Sequence, residues 1–253
     1  MGSQLGLEGR VAVVTGAGRG LGRAVARKLC ASGCNVILNY VQSDADAAAA
    51  VEDTAGLPGT ATAVKGDVRQ PDVLQDLVDA ALARHGRLDI FVHNAATLPP
   101  MSAVTADLPA LHAEQALALD PLLAGAPLLA KVMDGAGGRI IAISGNGAGK
   151  VLPGFVALGV AKAALESLVR YLAVELAGKG IAVNAVATAM LDKGEPNNVA
   201  GPDVTRMLAA RTPAGRLTRP ADVADAVALL CADEAAWIHG QVITVDGGLG
   251  LRA

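Results

Sequence analysis

A glycine-rich turn near the N-terminus most strongly limits the folds open to this chain. The turn spans Thr15–Gly22, follows the short apolar run Val11–Thr15 and leads into a helix-forming segment. Gly16 permits a tight turn, while Gly18 and Gly20 keep the backbone accessible at a helix start, where unpaired amides and the helix dipole favour negative charge. A strand, a turn and a helix in this order predict a dinucleotide-binding site in an α/β fold.

The rest of the chain alternates short apolar runs with longer segments rich in Ala and Leu. The predicted strands are Val11–Thr15, Asn35–Tyr40, Thr60–Gly66, Leu88–His93, Arg139–Ser144, Ala182–Ala187 and Gln241–Val245. The predicted helices are Gly20–Ser32, Asp44–Ala55, Pro71–His85, Ala110–Asp134, Phe155–Ala177 and Pro220–Cys231. This rhythm predicts a Rossmann-like, doubly wound parallel sheet of about seven strands with helices on both faces.

We expect a single dinucleotide-binding domain over residues 1–253, with a substrate loop near 188–203, where Gly, Pro and Asn cluster. Only 2% of the residues are aromatic while 52% are hydrophobic, so aliphatic side chains must form the core, as in buried parallel strands. Pro121 and Pro127 fall inside the predicted helix Ala110–Asp134, and interior prolines break the hydrogen-bond ladder. That helix is therefore expected to kink or to begin later.

Composition excludes several classes of function. The net charge of -3 gives no basic surface for nucleic acid, and no run approaches the ~18 apolar residues of a membrane span. Three cysteines without a CxxC spacing indicate neither a zinc site nor a disulfide framework, and no metal site is predicted. We therefore expect a cytoplasmic protein with no membrane or nucleic-acid partner.

The end of the second strand bears on the choice of cofactor. NAD-selective sites usually offer Asp or Glu there to the ribose 2′-hydroxyl, but this strand ends in Asn39-Tyr40. Arg19, inside the glycine turn, is placed to pair with a 2′-phosphate. The sequence favours NADP(H), with NAD(H) less favoured; the other interpretation is a solvated Arg19 beside a neutral strand end.

Further motifs extend over nearly the whole chain. They are the Thr15–Gly22 turn, Gly66-Asp67-Val68, Gly86-Arg87-Leu88-Asp89, His93-Asn94-Ala95-Ala96, Ala161-Lys162-Ala163-Ala164, Val183-Asn184-Ala185-Val186 and Val245-Asp246-Gly247-Gly248. On these motifs the chain resembles the short-chain dehydrogenase/reductase family. Phe91–Ala96, Gly159–Leu176 and Thr212–Arg216 make it most similar to the bacterial NADPH-dependent enoyl-acyl-carrier-protein reductases.

The resemblance implies where the cofactor lies. Asp67 and Val68 would border the adenine, Asn94 and Ala95 would run along the cofactor, and Lys162 would bond the nicotinamide ribose. The cofactor contacts expected in all are Gly16, Gly18, Arg19, Gly20, Leu21, Asn39, Tyr40, Asp67, Val68, Asn94, Ala95, Lys162 and Met190.

The resemblance also implies four catalytic roles: a tyrosine proton donor, a lysine, a serine and an asparagine. Only Lys162 is kept. The tyrosine position is Leu158, four residues earlier, or Phe155, seven residues earlier, as in the enoyl reductases. The serine position falls on Gly145 and the asparagine position on Ala118. We therefore expect an atypical oxidoreductase that lacks the usual Ser-Tyr pair.

Replacement acid–base groups are sought at the carboxyl ends of the strands, where ligands bind in such sheets. The candidate catalytic positions are Lys162, Phe155, Ser144, Asp192 and His93, with Asn146 as a further polar group. Each polar candidate also has a structural interpretation: His93 as a hydrogen-bonded core histidine, Ser144 as a strand-end cap, and Asn146 and Asp192 as loop residues.

Three functions remain open. The first is an NADP(H)-dependent, enoyl reductase-like oxidoreductase acting on a small or carrier-bound acyl thioester, or on a polyketide-like substrate. The second is a non-redox cyclase, isomerase or dehydratase, and the third is a non-catalytic binding subunit. The resemblance further implies a homodimer or homotetramer built on the helices near Ala110–Asp134 and Phe155–Ala177.

Overall fold

The computed structural model describes residues 5–194 and 201–251. The strands are β1 (Val11–Val14), β2 (Asn35–Tyr40), β3 (Ala61–Lys65), β4 (Ile90–His93), β5 (Arg139–Gly145), β6 (Ala182–Thr188) and β7 (Val242–Val245). They form one parallel sheet in the order β3-β2-β1-β4-β5-β6-β7. The predicted doubly wound sheet is confirmed, with strand ends that shift by one or two residues.

Eight α-helices lie in the described part of the chain. They are α1 (Gly20–Ala31), α2 (Asp44–Glu52), α3 (Pro71–His85), α4 (Leu108–Leu123), α5 (Ala126–Val132), α6 (Val156–Leu176), α7 (Pro202–Arg211) and α8 (Pro220–Cys231). Helix α7 is not predicted by the sequence analysis, which assigned 188–203 to a loop. Pro202 opens α7, a position where its fixed φ and missing N–H suit a helix. Residues 195–200 of that loop lie outside the described residues.

The sheet separates two apolar cores because successive side chains of a strand point to opposite faces. Val11 and Val13 of β1 pack toward the face covered by α3, α4 and α6. Ala12 and Val14 pack toward the face covered by α1 and α8. The strand sequences are therefore almost wholly apolar, as expected for a sheet buried on both sides.

The strand order reverses between β1 and β4. From β1 the chain runs outward to β2 and β3, then returns to form β4 on the other side of β1. Such a switch point leaves a crevice beyond the carboxyl ends of the strands, where ligands bind in open α/β sheets. The glycine turn follows β1 directly and lies at this crevice.

The predicted helix Ala110–Asp134 is two helices, α4 and α5, that meet at Gly125. A Cβ at Gly125 would overlap the Pro121 carbonyl oxygen and the Leu74 side chain, so the close packing there requires glycine. Pro127 stands in the first turn of α5, where its missing N–H costs nothing. The kink expected from the prolines is thus a full break between helices.

Among the described residues, no helix is both long enough and apolar enough to cross a bilayer. The same residues contain no group of three or more His, Cys, Asp or Glu side chains that is placed to hold a metal ion.

Candidate functional site

A cavity of about 930 Å³ opens at the carboxyl ends of the strands. Every cofactor contact expected from the sequence lines it, from the glycine turn at one end to Lys162 and Met190 at the other. Apolar side chains also line the cavity, among them Leu98, Leu152 and Leu208. The cavity therefore joins the glycine turn, Lys162 and a set of apolar side chains in one continuous space.

The glycine turn has the geometry that a pyrophosphate requires. Gly16 has a φ of +62°, in the left-handed region that favours glycine. A Cβ at Gly22 would lie 2.6 Å from the Asn94 Nδ2 atom and 2.8 Å from the Ala17 Cα atom, so no side chain fits there. Arg19, the N-cap of α1, makes no side-chain cap bond, which leaves the first amides of α1 available to a phosphate. These residues fit the diphosphate of a dinucleotide.

Asn94 and Thr15 hold this turn in place. The Asn94 side chain donates to the carbonyls of Thr15 and Gly16 at 3.0 Å each. The Thr15 hydroxyl oxygen accepts from the amides of Asn94 and Ala95, again at 3.0 Å. The segment after β4 is thereby locked to the segment after β1 on the floor of the cavity.

The Asn39 side chain is committed to the backbone. Its Oδ1 atom accepts from the Gly16 amide at 3.3 Å, and its Nδ2 atom donates to the Gly66 carbonyl at 2.8 Å. These bonds tie the end of β2 to the residues that follow β1 and β3. Asn39 brings no carboxylate to the cavity. Arg19, by contrast, is exposed on the cavity wall and makes no ion pair with the described residues.

Two charged clusters in this part of the chain are internally paired, whereas Asp46 of the cavity wall makes no ion pair with the described residues. Tyr40 and Lys65 both donate to Asp44 Oδ1 at 2.9 Å, and Lys65 lowers the pKa of that carboxyl. Arg69 donates to both oxygens of Asp67 and lowers the pKa of its carboxyl. Arg69 also lines the cavity, and the sequence analysis did not single it out.

Lys162 lies at the opposite end of the cavity. Its side chain is buried, and its Nζ atom donates to the Ile143 carbonyl at 2.7 Å. Burial lowers the pKa of Lys162 to about 8, although the negative charges of Glu114 and Glu166 act to raise it. A lysine in this range gives up or regains a proton readily near neutral pH.

The two expected tyrosine positions face the same space as Lys162. Phe155 precedes the first residue of α6, Leu158 lies in its first turn, and both line the cavity. Gly145 also lines it, at the expected serine position. Ser144 reaches the wall too, but its hydroxyl donates to Glu166 Oε1 at 2.6 Å. Its neighbour Asn146 lines the cavity with a side chain that bonds none of the described residues.

The structure places His93 outside the cavity lining. Its ring is 1% exposed, with Nδ1 3.2 Å from the Thr15 hydroxyl and Nε2 3.1 Å from the Leu117 carbonyl. In a regular helix that carbonyl would accept from residue 121, which is proline and has no N–H. Burial lowers the pKa of His93 to about 3, so the ring is neutral and replaces the lost helix bond.

Asp192 is the other candidate that the structure places off the cavity wall, although its neighbours Met190 and Leu191 line it. The Asp192 carboxylate is exposed and accepts from the Gly194 amide at 3.0 Å, which closes a local turn. A side chain engaged in its own turn is typical of a loop aspartate.

A hydrogen-bonded pair not predicted from the sequence joins the buried Glu114 to the exposed Thr97. Glu114 is 1% exposed on α4, and its Oε2 atom accepts from both the amide and the hydroxyl of Thr97, which lines the cavity. No sequence signal marks Glu114, because a carboxylate in a polar helical stretch is usually solvated.

Known proteins resemble this chain over almost its whole length. A family model described as Enoyl-(Acyl carrier protein) reductase matches residues 16–250. The chain is 38% identical to a 1-cyclohexenylcarbonyl-CoA reductase of Streptomyces collinus, covering 96% of this chain and 88% of that protein. It is 33% identical to an NADPH-dependent aldehyde reductase-like protein, chloroplastic, of Arabidopsis thaliana, covering 96% and 95%.

A solved structure of 7α-hydroxysteroid dehydrogenase, complexed with NADH and 7-oxo-glycochenodeoxycholic acid, superposes with a TM-score of 0.90. It is 30% identical and covers 97% of this chain and 96% of that one. The chain belongs to the short-chain dehydrogenase/reductase family. This family binds a nicotinamide cofactor, and membership makes the protein an oxidoreductase by class. The resemblance inferred from the sequence motifs is thereby confirmed.

Proposed function

We propose that this protein is an NADP(H)-dependent reductase of α,β-unsaturated acyl thioesters. The proposal rests on the end of the cavity that contains Lys162. There the buried Lys162 and the ring of Phe155 line the same space, and neither expected tyrosine position supplies a phenol. The matching family model and the enoyl-type name of the Streptomyces collinus relative support it.

The missing phenol decides between two kinds of reduction. Reduction of a ketone builds charge on an oxygen that needs an adjacent proton donor, and neither Leu158 nor Gly145 supplies one. Reduction of an enoyl thioester places the hydride on carbon and delocalises the charge onto the thioester. Such charge needs hydrogen-bond donors and positive charge nearby rather than a dedicated phenol.

The side chains at the cavity end would then act as follows. When bound, the reduced nicotinamide supplies a hydride. Lys162 holds the ribose end and provides positive charge, while the free amide of Asn146 donates to the thioester carbonyl. Phe155 and Leu158 exclude water from the reacting carbons, which strengthens both interactions. In this proposal Ser144 orients Glu166, and His93 and Asp192 take no part in the chemistry.

The preference for NADP(H) rests on Arg19. Its guanidinium is exposed at the adenosine end of the cavity, where Asn39 is occupied with the backbone and offers no carboxylate. A 2′-phosphate would gain a charge-assisted hydrogen bond there. Asp46, which also lines this end, is the acid placed to favour NAD(H) instead.

The direct test follows NADPH oxidation by the purified protein with a series of 2-enoyl thioesters, carried by coenzyme A and by acyl carrier protein. We expect turnover with at least one chain length. NADPH binding without turnover on any of them would overturn the proposal. A ketone panel run in parallel should show no comparable rate.

A non-redox cyclase, isomerase or dehydratase is the alternative raised by the loss of the phenol. The relatives described above carry the names of reductases and dehydrogenases, which favours net reduction. The alternative requires product to form while NADPH is not consumed, so the same assay with product analysis separates the two.

We also propose a homo-oligomer formed through α4 and α6. Exposed apolar side chains mark this surface: Leu123 on α4 is 52% exposed, and Tyr171 and Val174 on α6 are 67% and 79% exposed. Apolar side chains of this size that are exposed on two neighbouring helices are suited to burial against a second copy of the chain. Light scattering should give a dimer or tetramer, and Tyr171→Glu should reduce its mass; a monomeric wild type would contradict this.

A cytoplasmic location is part of the proposal. Cys30, Cys34 and Cys231 are buried free thiols, and burial raises the pKa of Cys30 and Cys231 to about 12. Unreactive, unpaired thiols are typical of a reducing compartment.

A further inference from the structure

A buried carboxyl group lies beside the reacting end of the cavity and has no part in the mechanism above. Glu114 is 1% exposed, and its Oε2 atom accepts from the amide and the hydroxyl of Thr97. Its Oε1 atom is enclosed and has no hydrogen-bond partner among the described residues. An enclosed carboxyl oxygen without a partner is costly, and such groups cluster where a protein uses them.

Charged and titratable groups surround Glu114 on each side. Lys162 of α6 lies close to Glu114. Burial lowers the pKa of Lys162, and Glu114 is the charge that does most to raise it. Arg69, after β3, also lies within the field of Glu114. The neutral His93 of β4 bonds the same helix at the Leu117 carbonyl. Glu114 therefore lies near two cations, and Glu166 of α6 is a second acid that acts on Lys162.

The position of Glu114 on α4 is informative. It lies four residues before Ala118, the buried residue at the position where the family resemblance implies an asparagine. Residues four apart share one face of a helix. On this face of α4, alanine therefore stands at the expected asparagine position, and a carboxyl group stands one turn earlier, at Glu114.

Thr97 connects this carboxyl group to the cavity. It follows β4, lines the cavity, and directs its hydroxyl onto Glu114 Oε2. A hydroxyl that borders the substrate space and bonds a buried carboxyl can pass a proton in either direction. We propose that Thr97 is the acid–base group of this cavity, and that Glu114 is the positioning residue that holds its hydroxyl.

The proposal rests on the proposed enoyl thioester reduction, in which it supplies the proton. Hydride from the dihydronicotinamide forms a C–H bond at the β-carbon, and the π-electron pair moves onto the thioester. The Thr97 O–H bond then breaks as a C–H bond forms at the α-carbon, and a water molecule in the cavity returns a proton to the Thr97 oxygen and leaves as hydroxide.

Four variants test the pair: Glu114→Gln, Thr97→Val, Thr97→Ser and Asp120→Asn. Asp120→Asn is the matched control, because it removes an exposed carboxylate from the same helix. Glu114→Gln and Thr97→Val should lower kcat by about 10² with little change in NADPH binding, whereas Thr97→Ser keeps the hydroxyl and should stay near wild type.

Infrared difference spectroscopy gives a readout that needs no turnover. The spectrum of wild type minus Glu114→Gln isolates the carboxyl bands of Glu114, which should shift in Thr97→Val and return in Thr97→Ser. Bands that do not move in Thr97→Val would overturn the pair, as would wild-type kcat in both Thr97→Val and Glu114→Gln. If wild type reduces no enoyl thioester, the proposed function fails and the infrared result alone decides on the pair. If Glu114→Gln does not fold, the spectrum of wild type minus Thr97→Val replaces that subtraction, and a wild-type spectrum in Thr97→Val would overturn the pair.

Discussion

Replacing Phe155 by tyrosine would return a phenol to the cavity of this protein. Phe155 and Lys162 both line the cavity. Phe155 is the N-cap residue of α6 and Lys162 lies within that helix, so a phenol at position 155 would reach the same cavity as Lys162. The aromatic ring is unchanged and only half-buried, so the free energy of unfolding should stay within about 0.5 kcal/mol of wild type.

The expected gain follows from the charge on Lys162. An ammonium group nearby lowers the pKa of a phenol by about 1–3 units, which brings it into the range of an effective proton donor. General acids of this kind contribute about 10²–10⁴ in rate. Because Asn146 and Thr97 already offer polar groups to the same space, we expect the lower end, about 10² in kcat for a 2-enoyl thioester.

The assay is the loss of NADPH absorbance with the thioester that serves wild type best. Leu158→Tyr is the matched control, since it introduces the same ring one turn closer to Lys162. We expect Leu158→Tyr to give little gain with enoyl thioesters. The reasoning is refuted if folded, NADPH-binding Phe155→Tyr shows no gain, or if both variants gain equally.

Three further perturbations have definite outcomes. Arg19→Ala removes a charge-assisted hydrogen bond of about 1.5–3 kcal/mol, so the Kd for NADPH should rise by about 10- to 100-fold in fluorescence titration. The Kd for NADH should not change, and an equal loss for both cofactors would refute the role of Arg19. Burial lowers the pKa of His93 to about 3 in the folded protein, whereas a histidine in the unfolded chain has a pKa of about 6.5. Between these two values the unfolded chain therefore binds one proton that the folded protein does not. Stability should therefore fall by about 1.4 kcal/mol per pH unit below about 6.5, and urea unfolding should show that His93→Asn, but not exposed His112→Asn, removes this slope. Gly125→Ala should destabilise the protein by about 1–3 kcal/mol in the same experiment, because its Cβ would overlap neighbouring atoms. Gly149→Ala, with open space around it, is the control, and equal effects would contradict the packing argument.

Local patterns were sufficient to predict the fold and a set of residues that line the cavity. The strand, turn and helix at Thr15–Gly22 depend on neighbouring residues only, and the apolar runs identify buried parallel strands without tertiary information. Helix α7 was missed because Pro202 and Asp203 lie at the end of a stretch rich in Gly, Pro and Asn, which is typical of a loop. The break at Gly125 depends on contacts with Leu74, which is far away in sequence.

The catalytic end was harder to predict because its groups come from different elements. His93 ends a strand at the correct edge of the sheet, yet its ring turns to α4 and satisfies the carbonyl that Pro121 leaves without a partner. Glu114 and Thr97 are 17 residues apart and meet only in the folded chain. Sequence spacing shows which edge of a sheet a residue reaches, but not whether its side chain faces the cavity.

The most direct test of net hydride transfer uses NADPH deuterated at C4 of the nicotinamide, on the face that transfers hydride. The protein is incubated with a 2-enoyl thioester, and the product is examined by mass spectrometry and NMR. The account predicts a saturated thioester with one deuterium at the β-carbon and one equivalent of NADPH consumed. A product without deuterium, formed while NADPH is unconsumed, would contradict it and would assign this fold to a non-redox reaction.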